Sequence, residues 1–186
     1  MIQRFLFSGT GGQGVITAAR VFAEAAVFGE ELNAVQTQVY GPEARGGSAR
    51  SDVIIADSEI WFPKVLEPNV LVCLSQFAYD RFSSLVRPGG VAVTDPFYVK
   101  RWQHANSRAL ELPFHETMVA LDGGDDLSVR GLNMCLLGAL CRLIPIVSLE
   151  SLKNTVSRRF PARFRESNLR ALEAGTALAR ERVLTF

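Results

Sequence analysis

Residues 9–14 constrain this chain more than any other segment. Gly9-Thr10-Gly11-Gly12-Gln13-Gly14 lies between the apolar run at 2–7 and a helical pattern at 15–27. A strand that ends in glycines and feeds a helix makes a tight turn. It also lets a ligand approach the backbone and aims free N–H groups of the helix start at an anion. Gly9, Gly11 and Gly14 satisfy the Gly-x-Gly-x-x-Gly spacing, and Thr10 and Gln13 add side-chain hydrogen-bonding groups expected to point the same way. In the helix, Val15, Ala18, Ala19, Phe22, Ala23 and Ala26 share one face and Thr17, Arg20 and Glu24 the other.

The pattern then repeats. Strand-length apolar runs fall at 32–39, 48–55, 70–74 and 91–94, with a weaker one at 109–113. Short helices are predicted around Phe77 to Leu85 and over 116–121. From 132 onward the chain reads as helix. The stretch 132–144 is apolar almost all round and should be core. Ser148 is a natural cap for the helix carrying Leu149, Leu152, Val156 and Phe160, and a last helix carries Leu169, Leu172, Thr176, Ala179 and Val183. Strands alternating with helices imply an α/β fold: a Rossmann-like, mostly parallel sheet flanked by helices, with a helical C-terminal region. At 186 residues this is one domain, 1–186, with an α/β core at 1–128 and a helical part at 129–186.

A second glycine loop, Gly41-Pro42-Glu43-Ala44-Arg45-Gly46-Gly47, follows the second strand. In a doubly wound sheet that places it on the same edge as the first loop. Arg45 between glycines suits a phosphate or carboxylate. Equally, Glu43 pairs with Arg45 or Arg50 to brace the loop, or the loop docks on another subunit. The basic cluster Arg158, Arg159, Arg163 and Arg165 reads first as solvated helix ends, and second as a surface for an acidic partner or phosphorylated ligand.

Several classes drop out. A formal charge of +1 gives no general reason to bind nucleic acid or an anionic membrane, and no apolar run is long enough to span one. The N-terminus lacks a secretory signal pattern, which implies a cytoplasmic protein. Cys73, Cys135 and Cys141 sit in apolar runs without Cys-x-x-Cys spacing, and His104 and His115 stand apart, so no metal site is expected. A dinucleotide site wants an acidic residue ending the second strand, which here reads Gln36-Thr37-Gln38-Val39-Tyr40. No lysine follows the glycines, as a P-loop would need, and no nucleophile elbow surrounds a serine. Gly123-Gly124-Asp125-Asp126 lacks the order of a thiamine diphosphate motif. With no complete catalytic set, the chain is expected to work inside a complex.

Gly9 to Val15, the Tyr40 to Gly47 segment with the Ser-Asp-Val-Ile-Ile after it, and two later segments resemble the gamma subunit of 2-oxoacid:ferredoxin oxidoreductases across nearly the whole chain. The Gly-Pro-Glu-Ala-Arg-Gly-Gly form is most similar to the 2-oxoglutarate branch. The resemblance implies a complex that oxidatively decarboxylates a 2-oxoacid to its acyl-CoA and reduces ferredoxin. It implies alpha, beta and ferredoxin-like delta subunits as partners, with thiamine diphosphate, magnesium and iron–sulfur clusters on those chains. This chain would not be catalytic alone. It would serve assembly and contribute to coenzyme A binding, with the coenzyme's phosphates at Gly9, Thr10, Gly11, Gly12, Gln13 and Gly14. Arg45, Gly46 and Gly47 match the second motif and would meet either ligand or partner. Two rivals stand beside it: a purely structural subunit that binds no ligand, and a stand-alone nucleotide-binding oxidoreductase.

Overall fold

A computed structural model describes residues 1–40, 48–102, 108–123, 130–180 and 184. Arg45, Gly46, Gly47, His104, Asp125 and Asp126 therefore lie outside the described residues, and so does the Glu43–Arg45 pairing. The elements are β1 (Ile2–Thr10), α1 (Val15–Glu30), β2 (Asn33–Tyr40), β3 (Ser48–Ala56), β4 (Val70–Cys73), α2 (Gln76–Phe82), β5 (Val91–Thr94), β6 (Arg108–Glu111), α3 (Phe114–Leu121), α4 (Leu132–Leu143), α5 (Leu149–Arg159) and α6 (Ala162–Leu178).

The six strands are ordered β2-β3-β1-β4-β5-β6. β1, β4, β5 and β6 pair in parallel, as the alternating pattern predicts. The other edge departs from that pattern. β3 lies between β2 and β1 and runs antiparallel to both, so the sheet is mixed. The cause is connection length: a parallel crossover needs a dozen or more residues, and only 41–47 separate β2 from β3. β2 and β3 are thus the two arms of a hairpin rather than the ends of a crossover. The ends of both arms at Tyr40 and Ser48 fall on the expected edge, because Ser48 pairs with Thr10 and Ala49 with Tyr40.

Period-two alternation divides the buried strand residues between two faces. Phe5, Phe7, Val70, Val72, Val91 and Val93 join one cluster with α1, α3, α4, α5 and α6. Leu6, Leu71, Cys73 and Ala92 face a smaller cluster built on α2 and Val99. Among the described residues, α1, α3, α4, α5 and α6 crowd one face and the short α2 covers the other.

α4 is buried along almost its full length, against α6, α1, α3 and α5. Glycine permits that: a Cβ on Gly138 would collide with the Leu172 carbonyl, and one on Gly175 with the Cys135 carbonyl. The two helix backbones therefore cross in near contact. Burial raises the Cys135 thiol to about 12, with the Asp95 charge adding to it, and pushes up Cys73 and Cys141 as well. These are inert core thiols. Cys73 belongs to the opposite face of the sheet from Cys135 and Cys141, so the three offer no common ligand set for an iron–sulfur cluster.

Candidate functional site

The glycine turn begins at the C-terminal end of β1, where Gly9 and Thr10 still belong to the strand. Gly11 and Gly12 make the exposed bend, and Gly14 is the first cap of α1. Gly12 has φ 97° with nothing near where a Cβ would be, so it is required for its backbone angle and leaves the bend open. Gly14 has φ 74°, and a Cβ there would press on the Asn133 amide.

Gln13 turns inward, contrary to the sequence expectation. Its Oε1 accepts from the Thr10 N–H at 2.7 Å, and its Nε2 donates to the Leu74 carbonyl at 2.7 Å. The side chain ties the bend to the ends of β1 and β4 and has both polar atoms engaged. With Gln13 so engaged, the open part of the first loop is its backbone at Gly11 and Gly12.

Residues remote in sequence complete the site. α4 begins at Gly131, φ 77°, against the start of α1, and the Asn133 amide reaches the Gly14 carbonyl at 3.4 Å. Neither helix has a capping side chain at its N-cap glycine or an acidic residue in its first turn, while in α4 the Asn133 Oδ1 accepts from the Met134 N–H at 3.0 Å. Their positive dipole ends and free N–H groups open into one cleft of about 520 Å³, lined by Gly12, Gln13, Gly14, Arg130 and Asn133 on one side. Phe97, Tyr98 and His115 form the other wall.

That aromatic wall is organised by Asp95, a fully buried residue just past β5. Its carboxylate accepts from the Phe97 N–H at 2.7 Å and the His115 N–H at 2.6 Å, holding the turn after β5 to the start of α3. The rings of Phe97 and His115 then stack in parallel, centroids 3.6 Å apart, with Tyr98 edge-on to both. Burial raises the Asp95 carboxyl above its ordinary value, against the lowering effect of those two N–H donors and the nearby His115 and Lys100 charges.

Arg130, Asn133 and Phe97 thus line the cleft and Asp95 braces it, although no sequence motif points to them. Position offers the only signal for them: Asp95 follows a buried strand at the edge where ligands collect, and Arg130-Gly131 precedes an apolar helix. The basic cluster near the C-terminus is largely engaged in structure. Arg159 pairs with Glu24 at 2.5 Å, Arg158 lies over Phe28, and Arg165 donates to the Phe160 carbonyl at 2.9 Å.

The comparisons with known proteins agree with this architecture. The pyruvate ferredoxin/flavodoxin oxidoreductase family model matches residues 4–178. The chain belongs to that family. The 2-oxoglutarate synthase subunit KorC of Methanocaldococcus jannaschii is 39% identical over 184 residues, covering 97% of this chain and 96% of that one. The gamma subunit of a keto/oxoacid ferredoxin oxidoreductase from Geobacter sulfurreducens superposes with a TM-score of 0.84 at 33% identity, covering 97% of each chain. The 2-oxoglutarate:ferredoxin oxidoreductase of Magnetococcus marinus, solved with 2-oxoglutarate, coenzyme A and succinyl-CoA bound, shares the fold with a TM-score of 0.82 at 24% identity. The match covers 96% of this chain and 31% of that one, so the same module there forms part of a longer polypeptide. The gamma-subunit reading and its leaning to the 2-oxoglutarate branch hold. Among the described residues, no helix is long and apolar enough to cross a membrane.

Proposed function

We propose that this chain is the gamma-type subunit of a complex that oxidatively decarboxylates 2-oxoglutarate to its acyl-CoA, with ferredoxin as electron acceptor. Alpha, beta and ferredoxin-like delta subunits would complete it, carrying thiamine diphosphate, magnesium and the iron–sulfur clusters. Near-full-length likeness to a 2-oxoglutarate synthase subunit supports the substrate. The divided arrangement of the cysteines supports placing the clusters on other chains.

The chain's own contribution is to hold coenzyme A, and the cleft at Gly12 carries that reading. Two uncapped helix starts and Arg130 converge on it, and the donors they leave open suit a pyrophosphate. The coenzyme would supply the acyl-accepting thiol, while this chain binds and orients its phosphates through backbone N–H groups and Arg130. The second task is assembly. Trp61, Phe62 and Leu66 stand exposed on the β3–β4 connection, at 87%, 57% and 64% of full exposure, as a surface for another subunit would.

Purifying the complex from its native source and identifying the accompanying chains tests the first part. Thiamine diphosphate and iron–sulfur subunits should co-purify, and 2-oxoglutarate should be the preferred substrate among 2-oxoacids. A chain that purifies without such partners defeats the proposal. For the second part, replacing Gly11 by a bulky residue should weaken coenzyme A binding while the complex still assembles. Lost assembly with unchanged coenzyme affinity would point to a purely structural subunit.

A further inference from the structure

The glycine loop lies at the C-terminal end of β1, and the opposite end of the sheet has a chemistry of its own. A cavity of about 600 Å³ opens there, with Arg4, Phe62, Lys64, Leu66, Glu67 and Arg87 in its lining. Residues 4 to 10 of an extended strand separate it from the glycine bend, a span of roughly 20 Å. The two are distinct surfaces.

The frame of this cavity is pinned on both sides. The buried Asn69 accepts from the Arg4 N–H through Oδ1 at 3.0 Å and donates its own N–H to the Arg4 carbonyl at 2.8 Å. The Arg87 N–H donates to the Pro68 carbonyl at 3.1 Å, so both arginine backbones are fixed around residues 68–69. The β3–β4 connection supplies the other wall. Residues 57–69 hold neither helix nor strand, and a connection of that length in a compact domain is uncommon unless it has a task. It is anchored all the same: Val65 is buried, and its carbonyl accepts from the Arg50 guanidinium at 3.0 Å. Arg50 also donates to both Asp52 carboxylate oxygens, at 2.7 and 2.8 Å. Around that anchor Phe62, Lys64 and Leu66 remain exposed. A surface already held in shape loses less entropy when a partner orders it.

Charge and apolar exposure together select the occupant. Arg4, Lys64 and Arg87 outnumber Glu67, the one carboxylate of the lining, so the local field is positive. Trp61, Phe62 and Leu66 stand in water beside them, and exposed aromatic rings next to arginines are what interface anchors are made of. A small anion would meet the cations and leave the apolar side chains wet. A second copy of this chain, docked about a two-fold axis, would set the cations against their own counterparts. A protein segment carrying carboxylates beside an apolar side chain answers both. We infer that this end of the sheet docks an acidic segment of another subunit. Its carboxylates meet Arg4, Lys64 and Arg87, and its apolar anchor packs on Phe62 and Leu66. The inference rests on the proposed function in one respect, that the chain works inside a complex. It adds where a partner sits and what chemistry that partner presents.

Photo-cross-linking in the assembled complex tests the placement, with Phe62 replaced by the photo-reactive p-benzoylphenylalanine. Irradiation should join this chain to a segment of another subunit in which acidic residues outnumber basic ones. Charge reversal tests the energetics, at positions exposed enough to leave folding intact. Lys64→Glu and Arg87→Glu together should weaken association of the subunit at least about tenfold at low salt. The loss should shrink at high salt as the charges are screened. Exchanging acids for lysines in the cross-linked segment should restore association of that double variant. A cross-link to a neutral or basic segment, to a second copy of this chain, or to nothing overturns the inference. So does a double variant that associates like the wild type. Failure of the proposed function reads differently, as co-purifying chains with neither thiamine diphosphate nor iron–sulfur clusters. An acidic cross-linked segment with charge-swap rescue would still sustain the docking inference in that case, and its absence would overturn it.

Discussion

Four helices of this molecule begin in two contrasting ways. α2 and α5 satisfy their own first-turn donors: the Ser75 Oγ accepts from the Ala78 N–H, and the Ser148 Oγ from the Ser151 N–H, each at 3.1 Å. The Ser148 N–H is taken in turn by Glu30 at 2.8 Å. α1 and α4 begin instead at glycines with positive φ, without side-chain cap or acidic first turn. The self-capped starts stay off the glycine-loop cleft, and the open starts share it. Capping a helix is worth about 1 kcal/mol, so two neighbouring starts that forgo it sacrifice stability where an anion can restore it.

The contrast also runs along α4 alone, which opens at Gly131 and is sealed by Cys135. This gives the largest expected effect. The Cys135 thiol is raised from an ordinary 9.0 to about 12 in the fold, so its contribution to stability is fully present below pH 9 and is lost as pH rises toward 12. Each pH unit in that window costs on the order of 1.4 kcal/mol. Denaturant titrations between pH 8 and 11 should show wild-type stability falling more steeply than that of Cys135→Ala. Parallel slopes would mean that the thiol is not sealed from water.

Gln13 is the next test, because it holds the open start of α1 in place without capping it. In Gln13→Ala, the Thr10 N–H and the Leu74 carbonyl both lose their partner, at about 1–3 kcal/mol for the two part-buried groups together. A loss in that range by denaturant unfolding, with amide exchange faster at residues 9–14, is expected. A loss below about 0.5 kcal/mol would show that the bend holds its shape without the glutamine.

These residues also show what the sequence discloses and what it withholds. Alternating strand and helix patterns locate β1, β4, β5, α1 and α4 within a residue or a few, because burial period is a local property. The antiparallel seat of β3 is not local: it follows from a short connection and from which strand fills the gap beside β1. Gly12 and Gly14 are legible because their positive φ disfavours other residues. The inward turn of Gln13 is not, since only the arrival of Leu74 from β4 gives its amide an acceptor. Arg130 and Phe97 reach the cleft through chain reversals far along the sequence, and no spacing rule relates them to Gly12.

A carboxylate placed at the open start tests the comparison from the ligand side. Gly12→Asp puts a negative charge where the two helix dipoles and Arg130 converge, and nothing stands near its Cβ. Coenzyme A affinity of the complex should fall at least about tenfold, or 1.4 kcal/mol. The effect should shrink at high salt as the charge is screened. Unchanged affinity would remove the cleft from coenzyme binding altogether.

Ser148→Ala carries the smallest expected effect and is the control for the rest. It turns the self-capped start of α5 into an open one by removing the acceptor of the Ser151 N–H, while Glu30 can still accept from the backbone of residue 148. The cost should be about 1 kcal/mol, read as a lower midpoint in urea with an unchanged slope. Coenzyme A binding should be unaffected, because α5 begins away from the cleft. If Ser148→Ala weakened coenzyme binding as strongly as Gly12→Asp, the two kinds of helix start would not differ in function. The open glycine starts would then serve only to let α1 and α4 pack end against end at Gly14 and Asn133.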